Sequence, residues 1–81
     1  TIRLKASDFR MPYLRSLPLH HSQKEIRPGE FELHLVPTPD FLQALRSIGP
    51  DIEITHPKWL RKQFLDEART LIKRYGDKEL P

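Results

Sequence analysis

The last third of the chain changes period with no loop in between. Ile52 and Ile54 alternate with Glu53 and Thr55, the pattern of a strand with one buried face. Pro57 comes next. Leu60, Phe64, Ala68, Leu71 and Tyr75 then recur every three or four residues up to Gly76, the pattern of a long amphipathic helix. Pro57 suits the first helical turn, where its missing N–H has no partner in any case. The junction therefore fixes where the final helix leaves the sheet.

The rest of the chain is punctuated in the same way, with eight prolines against three glycines, most of the prolines between elements. Ile2, Leu4 and Ala6 alternate with Arg3, Lys5 and Ser7, which predicts a strand. Tyr13, Leu14 and Leu17 predict a short helical face that Pro12 keeps from starting early. Gln23 to Arg27 reads as a weak strand with one strong apolar residue, Ile26. Pro28-Gly29 is a turn signal before Phe31, Leu33 and Leu35, which alternate again. Thr38-Pro39-Asp40 opens a helix with a hydroxyl cap, a proline and a carboxylate near the positive end of the dipole. Phe41, Leu42, Leu45 and Ile48 form its apolar face, and Gly49-Pro50 ends it. The polar residues after Gly76 read as a frayed end.

The order is strand, helix, strand, strand, helix, strand, helix. It predicts an α+β fold: a ferredoxin-like split β-α-β sandwich (β-α-β-β-α-β) with an additional long C-terminal helix and all helices on one face of the sheet. The first and third strands carry the richest apolar sets and belong in the middle. The polar second strand belongs at an edge. Residues 1–81 are expected to be one domain, excised from a larger protein because the chain opens at Thr1 inside a strand.

Charge and composition exclude several functions. Fourteen cationic residues against eleven acidic ones leave a net charge of +3, too mild to mark a nucleic-acid binder. The chain holds no cysteine, so disulfide scaffolds and thiolate zinc sites are excluded, and a reducing cytoplasm is the expected setting. No apolar run reaches membrane-spanning length. No serine sits in a glycine-bounded elbow, and no glycine-rich phosphate loop exists, so an enzyme is not expected. Asp51 and Glu53, two apart on a strand, share its solvated side. His20 and His21 point to opposite faces if the chain is extended there, so no metal site is expected. Base stacking on the sheet is not expected either, because the outward positions Arg3, Lys5, Glu32 and His34 offer no aromatic beyond an imidazole.

With the elements placed, the chain resembles the C-terminal extension (WCX) domain of WYL-domain bacterial transcription regulators. The likeness rests on Leu14-Arg15-Ser16-Leu17-Pro18-Leu19-His20-His21-Ser22-Gln23 and on Phe31-Glu32-Leu33-His34-Leu35-Val36-Pro37-Thr38. It continues through Phe41, Leu45 to Ile54, and His56-Pro57-Lys58-Trp59-Leu60-Arg61. The Trp-Tyr-Leu signature of such regulators belongs to a preceding domain.

The resemblance implies a regulatory and dimerisation domain that senses a ligand, with no cofactor. It implies a homodimeric full-length protein, DNA binding through an upstream domain, and a nucleotide or oligonucleotide effector. Arg10, Arg15, His20, His21 and Lys24 are the expected ligand or inter-domain contacts, since guanidinium groups suit phosphate. Leu65 and Ile72 widen the apolar side of the last helix beyond what one small sheet covers, and are the expected partner contacts. The alternative is a purely structural protein–protein interaction domain with no ligand of its own.

Overall fold

Inward-facing residues of three strands meet on one side of a single sheet, and every helix is drawn to that side. The computed structural model describes residues 1–76; the expected frayed end after Gly76 lies outside the described residues. The strands are β1 (Ile2–Ala6), β2 (Lys24–Arg27), β3 (Glu30–Leu33) and β4 (Ile52–His56). The helices are α1 (Met11–Ser16), α2 (Pro39–Ile48) and α3 (Lys58–Tyr75), with a 3-10 turn at Gly49–Asp51. The sheet runs β2-β3-β1-β4 and every neighbouring pair is antiparallel. β1 and β3 are therefore central and β2 lies at an edge, as their apolar content predicts.

The core is one cluster. Ile2 and Leu4 of β1, Phe31 and Leu33 of β3, and Ile54 of β4 meet Leu14, Leu45 and Leu60, one residue from each helix. All three helices thus share the sheet's apolar face.

Local chemistry explains the helix boundaries. Thr38 Oγ1 accepts a hydrogen bond from the Phe41 amide at 3.2 Å, and Pro39 opens α2. Gly49 leaves α2 with a φ of 68°, a backbone conformation that costs a glycine nothing. Pro57 sits one position earlier than expected. It is the N-cap of α3, extended at φ −76° and ψ 164°, and its carbonyl accepts from the Leu60 and Arg61 amides. The cap position suits it because it offers a carbonyl to the first turn without needing its own N–H.

Two bulges shape the sheet. Register shifts leave Ile26 of β2 and Thr55 of β4 as extra residues between paired positions. Ile26 is exposed as a result. Its neighbour Glu25 pairs with Phe31 and lies on the helix side of the sheet. On the other edge, Arg61 Nη1 donates to the Ile54 carbonyl at 2.9 Å and to Glu53 at 2.7 Å. A charged side chain laid along an open strand discourages pairing with another strand.

Candidate functional site

Three surfaces carry chemistry: the α1 region with its connector, the open face of the sheet, and the far half of α3. The five cations expected at a ligand site lie on the first two, and no single cavity gathers them. Arg10 lines a groove between α1 and α2 of about 220 Å³. Arg15 is engaged by Glu25, donating through Nε at 2.8 Å and Nη2 at 2.7 Å. That bidentate pair, with the Gly29 amide, holds the Glu25 carboxyl down at about 2, and the same bond raises Arg15 further above its ordinary value.

The pairing makes a pH prediction. A carboxylate lowered in the fold stabilises the protein fully above its ordinary pKa of 4.5 and loses that contribution as pH falls toward about 2. Glu32, Glu53, Asp66 and Glu67 are lowered in the same direction by hydrogen bonds from Arg3, Arg61, Lys62 and Arg46. Thermal stability should therefore fall through that acid window. In the Arg15→Met variant the Glu25 carboxyl, followed by NMR, should titrate higher, part of the way back to its ordinary value, with the Gly29 amide still lowering it. A Glu25 titration unmoved by the substitution would show that the ion pair does not form.

The connector is tied to itself. Gln23 Nε2 donates to the Leu14 carbonyl at 2.9 Å, and its Oε1 accepts from the Leu19 amide at 2.9 Å. One side chain thus bridges the end of α1 and the chain that returns from it. The Ser22 amide and hydroxyl both reach His20 Nδ1, at 3.1 and 2.7 Å, while the Ser22 Oγ accepts from the His34 amide at 2.9 Å. An amide can only donate, so His20 Nδ1 is the acceptor and its proton sits on Nε2. Gln23→Ala leaves a half-buried amide and carbonyl without partners. It is expected to cost about 1–3 kcal/mol, read as a lower urea midpoint at an unchanged slope.

Two expectations are corrected here. His20 and His21 do not point apart: the chain turns at His21-Ser22 and brings the rings together, tilted by 34° with centroids 4.0 Å apart. Among the described residues no group of three metal-ligating side chains gathers there or elsewhere. Asp51 and Glu53 do not share a face. Asp51 lies in the 3-10 turn before β4, where it accepts from Ser7 Oγ at 3.2 Å and stands 4.0 Å from Arg10 Nη2. Glu53 projects from β4 toward Arg61.

The open face of the sheet carries two rows in which cations and carboxylates alternate, broken only at His56, which lies beside Arg3. Strand register lines up Lys24, Glu32, Arg3 and His56 in one row and Arg27, Glu30, Lys5 and Glu53 in the other. Arg3 meets Glu32 at 2.8 Å and Arg27 meets Glu30 at 2.8 Å. His34 Nε2 donates to Glu32 at 3.0 Å. Cross-strand pairs of opposite sign support the sheet and disfavour a slipped register. With each cation opposite a carboxylate and no exposed aromatic on β1 or β3, the face lacks the platform on which single-stranded RNA stacks.

On α3, only the first half is covered. Leu60 is buried, Phe64 is half-buried, and Arg46 of α2 lies over the Phe64 ring and pairs with Glu67 at 2.7 Å. Ala68, Leu71 and Tyr75 fall on the same stripe but are exposed, as are Leu65 and Ile72 beside it. The helix outruns the sheet that it covers. Residues that sequence reasoning undervalued are Phe9, Tyr13 and Leu17, at 64, 50 and 74 % exposure. Their spacing of four was visible, but α1 also carries Met11 and Leu14 on another side, and only packing shows which stripe is inside.

No described helix is long and apolar enough to cross a membrane. The family model of the WCX domain matches residues 1–72, which takes in every strand and all but the last three residues of α3. No curated protein and no solved structure matches the chain. A sheet with mixed-charge rows on one side and three helices on the other, matched over nearly its whole length, places the chain in the WCX domain family, a domain associated with WYL-type transcription regulators.

Proposed function

We propose that this chain is the C-terminal regulatory domain of a WYL-type transcription regulator and acts by docking against another part of that regulator. Its strand order and one-sided helices support the ferredoxin-like split β-α-β class with an added helix. DNA reading belongs to a different domain of the regulator.

The observation that carries the docking role is the uneven coverage of α3. Leu65, Leu71, Ile72 and Tyr75 are 46, 57, 58 and 77 % exposed, a contiguous apolar arc with Arg69, Lys73 and Arg74 around it. An apolar patch of this kind with a cationic rim fits a surface with an apolar centre and carboxylates at its edge. A second copy of α3 is a poor match. Lys58 at one end, where Arg61 and Lys62 are already paired with Glu53 and Asp66, and Arg69, Lys73 and Arg74 at the other would oppose cation to cation in an antiparallel pair, with no carboxylate of α3 left over to compensate them. In a homodimer the natural occupant is a different surface of the partner subunit. An effector that binds one arrangement of this contact better than another would shift the regulator between them.

The testing experiment is sizing of the intact regulator carrying Leu65→Glu or Ile72→Glu. Loss of the dimer with the fold retained is the expected outcome, and an unchanged dimer counts against the docking role. A purely structural domain with no ligand is favoured by one observation, the engagement of Arg15 by Glu25, which removes a guanidinium from any effector. Signalling that survives once the dimer is restored by other means would select that second reading.

A further inference from the structure

The α1 groove presents an apolar stripe and a guanidinium whose donors are not all used. Phe9 and Tyr13 meet as a tilted aromatic pair with centroids 5.5 Å apart and planes inclined by 45°, and Arg10 lies over the Tyr13 ring at 5.5 Å. Leu17, Leu19, Ala44 and Ile48 continue the groove toward α2. Arg10 Nε is buried with no hydrogen-bond partner, and the nearest carboxylate, Asp51, stands 4.0 Å from Nη2, beyond hydrogen-bond reach. A buried donor left unpaired costs free energy that an arriving acceptor recovers. Arg15 and Arg46, by contrast, are each paired bidentately within the chain.

From this we infer that the α1–α2 groove docks a peptide segment presenting one carboxylate beside one or two apolar side chains. The carboxylate meets the exposed end of the Arg10 guanidinium, and a small rotation brings Nε into the same pairing. The apolar side chains lie along Phe9, Tyr13 and Leu17. Shape favours a peptide over a small effector. A groove of about 220 Å³ holds a side chain or two and falls short of the roughly 300–1,000 Å³ typical of small-molecule sites. Phe9, Tyr13 and Leu17, spaced by four before, within and after the short α1, expose successive apolar side chains for a peptide to lie along. A single guanidinium matches a single carboxylate. The surface is separate from the α3 arc, so the inference goes beyond the docking role proposed for α3.

The test uses the 81-residue chain labelled with nitrogen-15 and three probes. One is an amphipathic peptide with a glutamate between two leucines at helical spacing. The second is the same peptide with glutamine in place of the glutamate, and the third is inorganic phosphate. The glutamate peptide should shift the Arg10 Nε–H resonance and the Tyr13 and Leu17 signals, binding at least about tenfold more tightly than its glutamine twin. Arg10→Gln should erase that difference, and Tyr13→Ala should weaken both peptides. Equal binding of the two peptides, or no binding of either, overturns the inference. So does saturation of the Arg10 signal by phosphate with the peptides silent, which would make the groove an anion site. Repeating the titration with Leu65→Glu separates the surfaces: peptide binding should be unchanged there, whether or not that variant alters assembly.

Discussion

Phe31→Ala is expected to lower the unfolding free energy by about 3–5 kcal/mol, the usual range for emptying a buried phenylalanine site. Phe31 is 1 % exposed at the centre of the sheet, between the two neighbours of β3 and beneath the helices. At roughly 0.05–0.15 kcal/mol per residue, a chain of this length has only about 4–12 kcal/mol to lose. The variant should therefore be partly or largely unfolded at 37 °C if the wild type lies at the bottom of that range, and measurably closer to unfolding if it lies higher. Phe9→Ala is the matched control. Phe9 is 64 % exposed and touches Tyr13, so its removal should change stability by no more than about 0.5 kcal/mol. Urea unfolding followed by circular dichroism reads both. Similar losses for the two variants would mean that the core is not centred on β3.

The second large effect separates folding from assembly. Leu65→Glu and Ile72→Glu place carboxylates on the uncovered part of α3, where neither residue belongs to the core cluster. Their unfolding free energies should stay within about 1 kcal/mol of wild type, since exposed helix positions are tolerant. Contact residues at the centre of an interface commonly cost 2 kcal/mol or more, which is about thirtyfold in dissociation constant. If α3 docks as proposed, the intact regulator should move from its assembled form toward monomer across a dilution series of that breadth, and the double substitution should move it further. Leu60→Glu supplies the contrast: Leu60 is 0 % exposed, and burying a carboxylate there should unfold the domain outright. Variants at 65 and 72 that unfold like Leu60→Glu would show that α3 is packed along its whole length and that no docking face exists.

Much of the fold was legible because its signals are local. Thr38, Pro39 and Gly49 delimit α2 through a cap, a fixed φ and a positive φ, all properties of the residue at hand. Ile2, Leu4, Phe31, Leu33 and Ile54 face inward because a strand alternates, and each is buried. The edge position of β2 followed from its scarcity of apolar residues. Ile26 is the exception. It was the one strong apolar residue of β2, yet the bulge turns it outward and gives the inward position to Glu25.

The candidate site was far less legible, for a physical reason. Charge pairs form between elements whose relative placement no local rule specifies. Arg15 looked like a free cation until β2 carried Glu25 to within 2.7 Å of it. Asp51 read as a surface neighbour of Glu53, but the 3-10 turn after Gly49 delivers it to Ser7 and Arg10. Tyr13 and Leu17 were expected on the inner face of α1, and are exposed because a six-residue helix over one sheet buries only its Leu14 side.

The sequence alone determined the order of elements, the inward phase of each strand and the presence of more apolar surface on α3 than a small domain can cover. Periodicity and backbone stereochemistry act within a few residues, so no tertiary information was needed for these. Tertiary structure alone decided which cations keep unused donors, which apolar stripe of α1 faces out, and where along α3 coverage stops. Those depend on strand register and on the length of the sheet beneath each helix, and both arise only when distant segments meet.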